Sequence, residues 1–231
     1  MLLLSSTSSA ARAALKLAVF LALLLLQMNT YKALIFDLGK VVFDLSFDRV
    51  FQFWAKASGV RYDEIKAKFQ FDHLFDEFEK DALSPEAFRV EILKRLGLTL
   101  TNQEFDEGWG DLYLDTYPGI DDLLANLKQR YQLVALTNTN SIHSNVWKAK
   151  YVNTLHHFQQ VFSSHELKER KPDRKAYQLV LDYLQVQPQQ VIFLDDNLDN
   201  VRGASQLGIK AILVTSHEQM LAELRALGVV S

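Results

Sequence analysis

The chain has 231 residues, 48% hydrophobic and 23% charged, the balance of an ordinary globular protein able to bury a core. Its net charge of −3, from 25 basic against 28 acidic residues, does not point to a nucleic-acid or anionic-membrane partner. The absence of cysteine excludes disulfides, thiolate metal sites and cysteine catalysis, and fits a cytoplasmic protein.

Residues 1–27 read as a leader outside the fold. Arg12 and Lys16 precede an apolar run over 17–26, the charge-then-hydrophobic order of a secretory signal. The run is too short to span a bilayer, and no Ala-x-Ala-like site follows it. Met28, just before the first strand, is the expected initiator, with a signal peptide or a short anchor over 1–27 as the less favoured readings, so no stable membrane association is expected.

Strand-like runs at 32–36, 133–136, 160–163, 191–194 and 211–214 alternate with helical patterns opening at Asp121, Ser141, Asp173, Asp199 and Glu218. Such alternation predicts an α/β fold with a doubly wound parallel sheet. The interval between the first two strands is too long for one crossover and is helical by period. Phe47, Val50, Phe51 and Trp54 fall at helical spacing, as do Phe71, Leu74, Phe75 and Phe78. Ser84-Pro85-Glu86 and the capping box Thr101-x-x-Glu104 open helices, and Gly97 closes the one between them. The prediction is an all-helical cap over 46–115, inserted after the first strand of a core made from 28–45 and 116–231. Tyr117-Pro118-Gly119 returns the chain to that core. The cap phenylalanines Phe69, Phe71, Phe75 and Phe78 are read as its own core rather than a sugar-stacking surface. His156-His157 lacks metal-ligand helical spacing, so a histidine zinc site is not expected.

The chemistry lies where the strands end. The first run finishes in Asp37 and the fourth in Asp195-Asp196. Strand carboxyl ends converge on the ligand crevice of an open parallel sheet, and buried strands do not finish in unpaired acids without cause. Gathered aspartates suit a hard divalent cation, Mg2+ being the usual choice when phosphate is the other ligand. The second run ends in Thr137-Asn138-Thr139-Asn140, a tip with a hydroxyl and backbone N–H donors that can cradle an anion. Lys171, in Glu169-Arg170-Lys171-Pro172-Asp173, supplies the cation to balance phosphate and acids.

The order Asp-x-Gly-x-Val from Asp37 to Val41, then Thr137-Asn138, Lys171-Pro172 and Asp195-Asp196, resembles the haloacid dehalogenase superfamily of hydrolases and phosphotransferases over about residues 31–215. Together with His143, Trp147 and the run Asp195-Asp196-Asn197-Leu198-Asp199-Asn200, it looks most like the bacterial branch containing α-D-glucose-1-phosphate phosphatase. The phosphatase half of soluble epoxide hydrolases is a more distant likeness. The resemblance implies that Asp37 is a nucleophile forming an aspartyl-phosphate. It implies Mg2+ held by the Asp37 carboxylate, the Gly39 carbonyl and Asp196, with Asp195 supporting directly or through water. Thr137 and the Asn138 N–H would hold the transferring phosphoryl group, and Lys171 would offset its charge.

Gly39 departs from the superfamily pattern, which usually has a second aspartate there as general acid. That role is worth ~10²- to 10⁴-fold, so the substrate must need less help or another acid must act. A sugar 1-phosphate needs less, because a hemiacetal hydroxyl is more acidic than an ordinary alcohol, and the glucose-1-phosphate phosphatase branch carries glycine too. Phe78-Glu79-Lys80-Asp81 resembles the family's substrate-facing cap turn, with Asp81 where glycine is expected. Glu79 and Lys80 are therefore substrate-contact candidates, with Asp48, His73, Asn140 and His143 behind them. The expected protein is a cytoplasmic Mg2+-dependent phosphatase of small phosphometabolites such as glucose 1-phosphate, monomeric or homodimeric. The alternatives are a metal-independent haloacid dehalogenase, against which Asp195-Asp196 argues, and a weakly active phosphometabolite-binding or regulatory protein, which Gly39 alone supports. A phosphomutase is disfavoured, since it too would want the missing acid.

Overall fold

The computed structural model describes residues 31–230 together with Ala14 and Lys16. Those two positions apart, the expected leader lies outside the described residues. Among the described residues no helix is long and apolar enough to cross a membrane.

The apolar run Ala33–Phe36 forms strand β1, buried at every position because it pairs in parallel on both sides. One neighbour is β4 (Gln132–Thr137) and the other β6 (Val191–Asp195). With β5 (Gln160–Ser163) and β7 (Lys210–Leu213) the sheet has the order β5-β4-β1-β6-β7, parallel throughout. The chain winds outward from β1 through β4 to β5, then crosses to build β6 and β7. That reversal makes a topological switch beside β1, the place where such sheets open a ligand crevice at their carboxyl ends.

Side chains alternate between the two faces of β1. Leu34 and Phe36 join a core with α6 (Ile120–Leu127) and α12 (His217–Ala226). Ala33 and Ile35 join another, with α10 (Arg174–Leu184) and α11 (Leu198–Ser205). Burial on both faces is why the strands read as continuous apolar runs, and the expected core strands and helix starts lie within a residue of those observed.

Between β1 and α6 the chain adds five helices: α1 (Phe47–Ser58), α2 (Tyr62–Lys68), α3 (His73–Glu79), α4 (Pro85–Leu96) and α5 (Asn102–Gly110). The expected caps form. Ser84 Oγ accepts from the Ala87 N–H, and Thr101 and Glu104 close a reciprocal capping box. The helices pack through rings: Trp54 stacks on Trp109 with centroids 5.7 Å apart, and Phe78 on Phe88 at 4.1 Å. Gly108 permits this, since a Cβ there would lie 2.4 Å from the Trp54 ring.

Two features differ from the sequence reading. The insert is tied to the sheet by an antiparallel ribbon of β2 (Phe43–Leu45) and β3 (Tyr113–Thr116), too short to show an alternating pattern. Phe71, assigned to the cap's core, is 64% exposed. It precedes Asp72, the residue that caps α3, so the helical spacing that joined it to Leu74, Phe75 and Phe78 does not apply to it.

Candidate active site

Asp37 directly follows β1, its N–H donating to the Leu194 carbonyl at 2.8 Å. Asp195 ends β6, and Thr137 ends β4. The loop after α9 (Ser164–Leu167) brings Lys171 between the two acids. Its Nζ lies 2.8 Å from Asp37 Oδ1 and 2.7 Å from Asp195 Oδ2, with only 1% of the residue exposed. Buried charge is tolerable only when paired and hydrogen-bonded, and the surroundings meet that condition. Asp195 Oδ1 accepts from the Asn197 N–H at 2.8 Å and from Asn200 Nδ2 at 3.0 Å. The backbone of Lys171 is fixed as well: its N–H donates to Asn138 Oδ1 at 2.9 Å, and Asn138 Nδ2 donates to its carbonyl at 2.8 Å.

Burial holds the Asp37 carboxyl up at about 7 against the pull of Lys171, with Asp195 and Asp196 pushing the same way as burial. Asp196 is raised too, by burial and then by Asp195. For Lys171, burial alone would lower the pKa, but Asp195 and Asp37 together raise it above the ordinary lysine value. The site therefore has an excess of negative charge that a cation would relieve.

Asp37, Asp195 and Asp196 each offer a carboxylate oxygen, all within 4.8 Å of one another. An all-oxygen, multiply acidic set fits a hard divalent cation such as Mg2+. Within it Asp195 is already engaged by Lys171, Asn197 and Asn200, so Asp37 and exposed Asp196 are the freer donors.

These residues open onto a cavity of about 270 Å³ between sheet and insert. Asp37, Gly39, Thr137, Asn138, Lys171 and Asp196 line it. So do Phe47, Phe71, Glu79 and Trp109 from the cap, with Arg170 and His143 from the core. The candidates beyond the core motifs divide. Glu79 faces the cavity, held by Arg170 at 2.9 Å, while half-buried Lys80 is not among its lining residues. Asn140 and His143 line the cavity; Asp48 and His73 are exposed and do not, Asp48 being bonded to Tyr62 and Lys66. Asp81 adopts a left-handed φ of 56°, the conformation for which glycine was expected.

The sequence reading gives no site role to Asn200 or Arg170 and assigns Phe71 to the cap's core, although Phe71 lines the cavity. Asn200 sits in the first turn of α11, five positions past Asp195, a spacing that brings its amide back onto that carboxylate. Arg170 pairs with acids far away in the chain, a partnership without local signal.

Fold and site together define the class: a doubly wound α/β protein with an acidic, oxygen-donor site at the carboxyl ends of its central strands. Residues 31–208 match the model of the haloacid dehalogenase-like hydrolases, and the chain belongs to that family. It is 24% identical over 187 residues to the D-ribitol-5-phosphate phosphatase of Bacteroides thetaiotaomicron, a match covering 78% of this chain and 89% of that protein. A haloacid dehalogenase family enzyme of the same organism, solved with magnesium and inorganic phosphate, superposes with a TM-score of 0.70 at 28% identity, over 81% of this chain and 96% of that one. The L-2-haloacid dehalogenase of Xanthobacter autotrophicus superposes with a TM-score of 0.61 at 22% identity, over 87% of this chain and 85% of that one, which shows the common fold alone.

Proposed function

We propose that the protein is a Mg2+-dependent phosphatase of small sugar phosphates, working through an aspartyl-phosphate on Asp37. The observation that carries this reading is buried Lys171, clasped between Asp37 and Asp195 at the crevice. An ammonium placed there can balance a dianionic phosphoryl group beside a carboxylate nucleophile. The kinship to a ribitol-phosphate phosphatase, and to an enzyme solved with magnesium and phosphate, supports the same class.

Phosphate esters resist anionic attack, so the site must neutralise charge and align the attacker. An Asp37 carboxylate oxygen attacks phosphorus while the ester P–O bond breaks and its electron pair leaves with the sugar oxygen, which takes a proton from water. Water then attacks the phosphorus of the aspartyl-phosphate, releasing inorganic phosphate and restoring the carboxylate. Lys171 compensates the phosphoryl oxygens, Asp195 keeps its Nζ in place, and Thr137 Oγ with the Asn138 N–H donates to the same oxygens. A divalent cation held by Asp37, Asp196 and the Gly39 carbonyl, with Asp195 behind them, would supply the positive charge that brings nucleophile and phosphate together.

Gly39 leaves no acid beside the leaving oxygen. An anomeric phosphate such as glucose 1-phosphate, whose leaving hydroxyl is acidic, is therefore the preferred substrate. The test is phosphate release from a panel of sugar phosphates, with and without chelator. Release that stops with chelator, returns with Mg2+ and disappears in Asp37→Asn at unchanged melting temperature is expected. Chelator-resistant turnover accompanied by halide release from 2-haloacids would replace this reading with the dehalogenase.

A further inference from the structure

Phe71 is out of place for a cap-core residue. Its ring touches Phe47, Phe69 and Phe75 at centroid distances of 5.0, 5.1 and 5.0 Å, yet it is 64% exposed. A single exposed aromatic is unremarkable on a protein surface. Phe71 differs because it and half-buried Phe47 line the same cavity as Asp37 and Lys171. Aromatic surface does nothing for a phosphoryl group, which the charged side chains already serve. It suits the carbon part of a substrate.

Resting on the phosphatase reading, we infer that Phe71, backed by Phe47, is a stacking subsite for a pyranose ring and selects cyclic sugar phosphates over open-chain alditol phosphates. A pyranose presents C–H groups on its faces and hydroxyls around its edge. The C–H face matches an aromatic ring, whereas the hydroxyls match the Glu79 carboxylate and Arg170 guanidinium lining the same cavity. An extended alditol has no such face. Apolar area that Phe71 exposes in the free protein is recovered when a sugar covers it, which ties affinity to the shape of the substrate.

The experiment compares Phe71→Ala and Phe71→Tyr with the parent protein on glucose 1-phosphate and ribitol 5-phosphate. KM is measured in the active enzyme, and Kd by calorimetry in an Asp37→Asn background that needs no turnover. Phe71→Ala is expected to weaken glucose 1-phosphate about five- to tenfold, the order expected for uncovering one aromatic face, and to weaken ribitol 5-phosphate less than half as far. Phe71→Tyr, which keeps the ring, should restore most of the loss. Equal shifts for both ligands, no shift for either, or no rescue by tyrosine would overturn the inference. Binding of glucose 1-phosphate that depends on Phe71, without turnover of any ester, would uphold the subsite and sink the phosphatase. Binding of neither ligand would overturn the subsite. Because the side chain is mostly exposed, neither substitution threatens the fold, and a circular dichroism melt checks this.

Discussion

At the scale of single residues the site turns on Lys171, which has exchanged water for the carboxylates of Asp37 and Asp195. Its ammonium stays charged at neutral pH because those carboxylates outweigh burial. Lys171→Ala should therefore fail twice. Turnover should drop by about 10²- to 10³-fold, as for other preorganised charge donors. Stability should drop by roughly 3–5 kcal/mol, because Asp195 would be left buried without its cation. Phosphate release and urea unfolding test the two losses, and a variant with native values for both would remove Lys171 from the mechanism. His143 looks at first like a substitute for the missing acid at Gly39, since it lines the cavity. Its electrostatics argue otherwise: burial lowers its pKa to about 3, only partly opposed by the bond to the Trp109 carbonyl. Nε2 lies 3.0 Å from that carbonyl and so must carry the ring proton, leaving Nδ1 to accept from Asn140. A histidine so engaged stays neutral and has no proton to give the leaving group.

Among elements, the ribbon of β2 and β3 decides what position 39 can hold. A Cβ on Gly39 would come within 2.7 Å of Leu45 Cδ1 in β2, the far end of a movable side chain rather than backbone. Gly39→Asp should thus be accommodated once Leu45 shifts. If glycine is tolerated because the leaving group is acidic, wild-type kcat/KM should favour glucose 1-phosphate over glucose 6-phosphate. The substitution should then narrow the gap by helping the poorer leaving group, within a ceiling of ~10²- to 10⁴-fold that imperfect placement only partly reaches. A wild-type preference for 6-phosphates, with no selective gain in the variant, would mean that some other residue supplies the proton. The same elements mark what the sequence could and could not reveal. Strands buried on both faces announce themselves as apolar runs, and acids at their ends stand out because such burial otherwise excludes them. Ser84, Gly97, Thr101 and Glu104 act through bonds to near neighbours in the chain, so their helix ends were readable in advance. The ribbon was not, because its strands pair Phe43 with Thr116 across the whole insert. Phe71 was misread for the opposite reason: local spacing fitted a helix that begins only after it.

Across the whole molecule, sheet and insert are held together over the cavity by ion pairs clustered on one side. Arg170 reaches Asp76 at 2.8 Å and Glu79 at 2.9 Å, and Lys168 pairs with Asp81. All three acids belong to α3 and its following turn, and both bases belong to the segment that carries Lys171. The segment that carries the lysine is thus also the one that pairs with the insert. Exposed pairs contribute about 0–1 kcal/mol, and breaking buried ones costs roughly 3–5 kcal/mol. With side-chain exposures of 22% and 20%, the Arg170–Glu79 pair lies between those limits. Arg170→Gln should loosen the clamp without unfolding the sheet. Amides of 73–81 should exchange hydrogen faster while those of β1 and β4 keep their protection. KM for sugar phosphates should rise by about tenfold, since an unsecured cap positions substrate poorly. The triple exchange Glu79→Arg, Arg170→Glu and Asp76→Asn separates clamping from recognition, the last change removing the like charge that Arg170→Glu would otherwise meet. It should restore slow exchange by remaking the pair, yet leave KM high if Glu79 also accepts from sugar hydroxyls. Salt provides the last discriminator, because at 1 M the Debye length shrinks to about 3 Å and half-exposed pairs lose much of their attraction. The exchange difference between wild type and Arg170→Gln should narrow there; a difference unchanged by salt would show that packing, and not charge, holds the insert against the sheet.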